Sequence, residues 1–221
     1  MGWFISLNPL LQGFLATLFT WFITALGSSI VFFFKDVKKG ILNTMLGFGA
    51  GVMIAASFWS LLSPAIDLCD DLGYNSWLIP AIGFVMGGLF IVLSDKFLDK
   101  FSFNNLKNED NLQFKSFKKS ILLVLAVTLH NIPEGLSVGV AFGGAALGIP
   151  GCTVVSAILL AIGIGLQNFP EGAIISIPLK SSGVHKSKAF ILGVLSGLVE
   201  PIAALITMFL ASYILPSLPY L

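Results

Sequence analysis

Six long apolar runs constrain this chain more than any motif does. They cover residues 10–34, 41–66, 77–93, 121–147, 153–179 and 189–215. A membrane-crossing helix needs about 20 mostly apolar residues, because within hydrocarbon only a helix or a closed barrel satisfies its own backbone. With 56% hydrophobic and 10% charged residues, against about 25% charged in soluble domains, the composition excludes a water-soluble domain, a disordered protein and a nucleic-acid binder. The expected fold is all-α, a polytopic transmembrane helix bundle of six spans embedded in the lipid bilayer. The first run is read as a retained helix. Residues 1–8 carry no positive charge, and the apolar run is too long for a signal peptide.

The lysines set the expected orientation. All 12 basic residues are Lys. Lys35, Lys38 and Lys39 follow span one; Lys96, Lys100, Lys107, Lys115, Lys118 and Lys119 follow span three; Lys180, Lys186 and Lys188 follow span five. The other connections carry Asp67, Asp70 and Asp71, or no charge at all. The positive-inside rule then places the odd loops in the cytoplasm and the N-terminus outside. We expect a multi-pass protein of the cell (inner) membrane, one membrane domain over 1–221. Spans one to three lie in 1–94, a mobile cytoplasmic loop in 95–119, and spans four to six in 120–221.

Of the 11 acidic residues, eight fall in loops or at span ends. The other three, Glu134, Glu171 and Glu200, sit inside spans that contain no Lys. An ionised group at the centre of a membrane helix costs at least about 2.5 kcal/mol on insertion scales. Either these acids are protonated or cations neutralise them, and a bound metal ion is the economical answer. Span four contains His130-Asn131-Ile132-Pro133-Glu134-Gly135, and span five contains Gln167-Asn168-Phe169-Pro170-Glu171-Gly172. Asn-x-Pro-Glu-Gly thus occurs twice at mid-span.

Residues i and i+4, and i and i+3, share a helix face. Glu134 can therefore meet an ion held by His130 and another held by Asn131, and Glu171 stands in the same relation to Gln167 and Asn168. Facing helices would present two bridging carboxylates, a two-ion geometry. Pro133 and Pro170 deprive the carbonyls of Leu129 and Leu166 of their helical donors and predict kinks. The glycines after the glutamates permit close helix approach.

Each residue has a plainer alternative. For Gln167, Asn131 and Asn168 it is an interhelical hydrogen bond; for Glu200, beside Pro201, it is a protonated structural carboxyl. Ser196 either lines the path or bonds its own backbone. His185 reads as a solvated loop residue, and Cys69 and Cys152 as unpaired end residues. Gly83, Gly87 and Gly88 suit either a partner protomer in a homodimer or packing within the chain. One imidazole among carboxylate and amide oxygens, with no thiolate, favours a transition metal over Ca²⁺ or Mg²⁺. We expect zinc first, while ligand chemistry alone leaves iron, manganese and cadmium open. The metal is cargo, and no catalytic cofactor is expected.

At these residues the chain resembles the ZIP (Zrt/Irt-like) family of divalent-metal transporters. The family signature is His-Asn-x-Pro-Glu-Gly on the fourth helix with a related motif on the fifth, here in the Gln-headed form of bacterial members. The resemblance implies a binuclear site. One ion would be held by His130, Glu134, Gln167 and Glu171, the other by Asn131, Glu134, Asn168, Glu171 and Glu200. Within Gly47–Met53 it implies a thioether ligand at Met53, for which simple packing is the alternative. Asn168 stands where some relatives are more acidic, and 95–119 lacks the histidines common in this loop of the family. Members typically have eight helices against the six expected here, so the chain is read as a fragment, a truncated product or a portion of something longer.

The function expected is metal uptake into the cytoplasm, with Asp67, Asp70 and Asp71 concentrating cations at the outer mouth and helix tilting, by transporter analogy, opening the inner side. Two rivals are a di-metal hydrolase, for which His-Glu-x-x-His is absent, and a non-transporting structural subunit with protonated buried glutamates.

Overall fold

The computed structural model describes residues 2–33, 39–71, 73–106, 112–149 and 151–214, and among them it is all helical. In chain order the helices are α1 (Gly2–Ile5), α2 (Pro9–Phe33), α3 (Lys39–Ala56), a π-helical segment (Ser57–Leu62), α4 (Ser63–Asp71), α5 (Leu78–Leu106), α6 (Leu112–Ala146), α7 (Val154–Ser181), α8 (Lys186–Gly197) and α9 (Val199–Ile214). Five stretches are long and apolar enough to cross a membrane: Pro9–Phe33, Leu78–Leu98, Ser120–Ala146, Val154–Ser181 and Lys186–Leu210. The second expected span appears as the shorter apolar helix Gly47–Trp59, within which α winding gives way to π winding at Ser57. The chain forms a multi-pass helical membrane protein.

Two further expectations change. Residues 95–119 are helical except around 107–111, where the structure is not described. α5 runs on to Leu106, and α6 starts at Leu112, well before its apolar part. The stretch holds no Pro or Gly, so nothing stops either helix as it leaves the apolar phase. Residues 189–215 are also not one helix. α8 ends at Gly197, the Leu198 N–H turns back to the Leu195 carbonyl at 3.2 Å, and α9 begins at Val199. Pro201 brings no N–H to the Gly197 carbonyl, so helical bonding cannot pass this point. By contrast, Pro133 and Pro170 lie inside continuous helices.

The packing is layered. One apolar core joins Ala16 of α2, Val138 and Phe142 of α6, Leu160 and Ile164 of α7 and Met208 of α9. A second joins Val31 of α2, Val124 of α6, Ile175 and Leu179 of α7 and Ala189 of α8. Along α2, α6 and α7 the residues between these cores are the polar ones: Thr20 and Thr24, Asn131 and Glu134, Gln167, Asn168 and Glu171. The polar layer therefore lies between two apolar ones. Glycines draw the helices together there. A Cβ on Gly172 would collide with the Thr24 carbonyl oxygen and lie 2.6 Å from the Ser28 nitrogen. One on Gly135 would collide with the Glu200 carbonyl oxygen and lie 2.7 Å from its Cα. Only hydrogen fits at either place, and such small-residue contacts are how membrane helices approach closely.

A candidate metal site between the repeated motifs

His130, Glu134 and Glu171 each offer a ligand atom, and these atoms lie within 4.8 Å of one another. The i, i+4 spacing does what the sequence required of it, with His130 Nε2 3.8 Å from Glu134 Oε1. Gln167 reaches across from α7, its Nε2 donating to Glu134 Oε1. The imidazole is the more open group. Its side chain is 37% exposed, against 8% for Glu134, and both line a cavity of about 390 Å³ with Gln167, Ser57, Leu61 and Ser137. The cavity brings α5, the π-helical segment, α6 and α7 to one opening. π winding is rare and recurs at functional positions.

The second half of the motif pair is deeper. Asn131 and Asn168 are fully buried, and Glu200 is 1% exposed. Asn131 Nδ2 donates to the Ser196 carbonyl at 3.1 Å. Asn168 Nδ2 donates to Glu200 Oε1 at 2.9 Å and Oε2 at 3.0 Å. Glu200 lies in the first turn of α9, where the positive end of the helix dipole favours a carboxylate. Its carboxylate is not part of the close cluster formed by His130, Glu134 and Glu171. The Ser196 hydroxyl bonds the Gly193 carbonyl at 2.8 Å, the backbone alternative of the two weighed for it. Met53 lies, by its side chain, outside the described residues.

Each amide divides its two ends between the two readings open for it. The NH₂ of Asn131, Gln167 and Asn168 makes an interhelical hydrogen bond. Their oxygens do not: Asn131 Oδ1, Gln167 Oε1 and Asn168 Oδ1, with Glu134 Oε2 and Glu171 Oε2, are buried acceptors with no hydrogen-bond partner in the protein. All five come from the two repeated motifs. An unpaired buried polar group costs about 1–3 kcal/mol, so five together rival the roughly 5–15 kcal/mol by which a typical protein is stable. These acceptors include carboxylates, and neither α6 beyond Lys119 nor α7 before Lys180 carries a lysine to neutralise them.

Sequence reasoning passed over Thr20. Its Oγ1 donates to Glu200 Oε2, and its carbonyl accepts from Asn168 Nδ2 at 3.3 Å. A signal was available: Thr17, Thr20, Thr24 and Ser28 recur at three- and four-residue spacing in span one, and all are fully buried. A polar helical stripe in an apolar span marks the face turned away from lipid. His185 caps α8, its Nδ1 accepting from the Ser187 N–H at 3.3 Å. Cys69 and Cys152 are free thiols.

These features define a class: a multi-pass helical membrane protein with an imidazole-carboxylate-amide cluster at mid-span. No family model matches the chain. It is 37% identical to the zinc transporter ZIP11 of Xenopus tropicalis over 96% of its own length and 84% of that protein. To the zinc transporter ZIP11 of Homo sapiens it is 33% identical over the same shares. It is 39% identical to the zinc transporter ZupT of Lysinibacillus sphaericus over 90% of its length and 76% of that protein. The chain belongs to the ZIP family of metal transporters, which sets aside the hydrolase and the structural subunit.

Proposed function

We propose that this chain carries divalent transition-metal cations, zinc first, across the cell membrane into the cytoplasm, through a two-ion site between α6 and α7. The observation that carries this reading is the set of five partnerless buried oxygens beside the His130, Glu134 and Glu171 cluster. His130, Glu134, Gln167 and Glu171 hold the ion nearer the cavity. Asn131 and Asn168, sharing Glu134 and Glu171, with Glu200 behind, form the deeper position, and Met53 is retained as a thioether candidate for the first ion. The mixed, amide-diluted ligand set favours release as well as capture, and transport requires both. The zinc transporters among the relatives support zinc as cargo.

The orientation rests on the lysines, which place the odd-numbered connections inside and the N-terminus outside. Asp67, Asp70 and Asp71 are exposed and would gather cations at the outer mouth. Apolar residues such as Phe84, Val85 and Leu93 are exposed on α5 and suit contact with lipid. The open space over Gly83, Gly87 and Gly88 suits a second copy of the chain better than packing within it. In proteoliposomes loaded with a fluorescent zinc chelator, replacing Glu134 and Glu171 together by Gln is expected to abolish uptake. Uptake at the unmutated rate would overturn the site.

A further inference from the structure

We infer that Thr20 is a positioning residue for the metal path, holding Glu200 with its side chain and orienting Asn168 with its backbone. The inference rests on the transport reading above. Thr20 is fully buried on α2, a helix that carries none of the motif residues. Its hydroxyl lies within donating reach of Glu200 Oε2 and of the Thr17 carbonyl at 3.0 Å, and the closer contact is the one to the carboxylate. Besides its place in the α2 ladder, its carbonyl oxygen accepts from Asn168 Nδ2 at 3.3 Å and from Thr24 Oγ1 at 3.2 Å.

The consequence concerns which end of the Asn168 amide is free. An amide set either way round in an apolar cavity would offer a cation its NH₂ as readily as its oxygen, and an NH₂ repels a cation. Here the two hydrogens of the Nδ2 end are shared among three acceptors, two Glu200 oxygens and the Thr20 carbonyl. The oxygen is thereby turned away from these three groups, and Asn168 Oδ1 is one of the five partnerless acceptors. Glu200 can play its part only if its carboxylate stays where Asn168 reaches both oxygens. Thr20 supplies that hold from one side. From the other, a Cβ on Gly197 would come within 3.3 Å of Glu200 Oε1 and 3.2 Å of Thr24 Oγ1, so the carboxylate lies tight against the α8 terminus. Thr20 thus ties three helices, α2, α7 and α9, to one register of donors and acceptors.

The test uses the full chain in proteoliposomes, reading zinc uptake against zinc concentration. Thr20→Val keeps the shape and removes the donor. It is expected to raise KM about tenfold, the scale of a lost hydrogen bond to a charged group, with the maximal rate within about twofold of wild type. Thr20→Ser restores the donor and is expected to restore KM. Thr17→Val removes a hydroxyl that bonds only its own helix and is expected to leave KM unchanged. Zinc binding by calorimetry on the same variants gives a second readout if insertion into liposomes differs. A wild-type KM in Thr20→Val, or a Thr20→Ser as impaired as Thr20→Val, overturns the inference while leaving the transport reading intact. A wild-type chain that neither binds nor moves zinc overturns both.

Discussion

α7 and α5 are nearly the same length, 28 and 29 residues, and both contain an apolar span, yet they live in different surroundings. Of the 28 residues of α7, 13 are buried within the chain, whereas on α5 Pro80 is the one buried residue among those described. α7 pairs with α2 in the most extensive helix contact and also meets α3, α6 and α8, whereas among the described residues α5 meets chiefly α6 and, lightly, α4. Hydropathy does not tell them apart, because in a bilayer apolar surface gains nothing by facing protein rather than lipid. What separates them is polar chemistry. α7 and its partners carry Thr, Asn, Gln, Glu and Ser on the contact face, and these must find each other. The first 16 residues of α5 carry no polar side chain; Ser94 and Asp95 follow. In this chain the polar side chains decide which spans form the inner bundle.

The comparison can be broken in three places. The largest effect belongs to Gly172→Val. A side chain there meets the backbone of α2 at Thr24 and Ser28. Neither neighbour can yield, so the cost should reach or exceed the ~3 kcal/mol upper end of ordinary overpacking. Thermal unfolding in detergent should show a fall in Tm of many degrees or a loss of folded protein. An unchanged Tm would mean that the α2–α7 contact is looser than described.

Ser28→Ala tests the same interface more gently. Its Oγ donates to the Gly172 carbonyl at 3.1 Å, and membrane-embedded hydrogen bonds of this kind average about 0.6 kcal/mol. A small but resolvable Tm decrease is expected. The smallest effect belongs to α5. A Cβ on Gly83 meets nothing within 4 Å, so Gly83→Ala should leave the monomer unharmed or stabilise it by up to ~1 kcal/mol through helix propensity. If Gly83→Ala instead lowers Tm while also shifting the protein from dimer to monomer in size-exclusion chromatography, then α5 packs against a second copy. If it lowers Tm with no such shift, the contrast between the two helices fails.

Much of the site was legible in advance because its chemistry is local. His130 and Glu134 share a face by spacing alone, and the repetition at Gln167 and Glu171 announced a second helix of the same kind. The glycines after both glutamates were read as points of close approach, and the structure puts helix backbone against each. Thr20 was not legible as a partner of Glu200, since 180 residues separate them and threonine is unremarkable in a membrane helix. The break at Leu198 was half legible. Pro201 was noted, but prolines at 133 and 170 sit in unbroken helices, so proline alone does not say where a helix ends. Residues 95–119 misled because polar composition was taken for loop, when polarity reports the exit from the bilayer and says nothing against helix.

By itself the sequence determined that this chain lies in a membrane, that it is helical, and that two mid-span motifs present carboxylate, imidazole and amide groups. Those properties follow from backbone satisfaction in hydrocarbon and from helical periodicity, which act over a few residues. The tertiary structure decided which end of each amide is engaged and which is left bare, and that α2 enters the site at all. Hydrogen bonds between helices are fixed by where distant segments meet, and no local pattern carries that information.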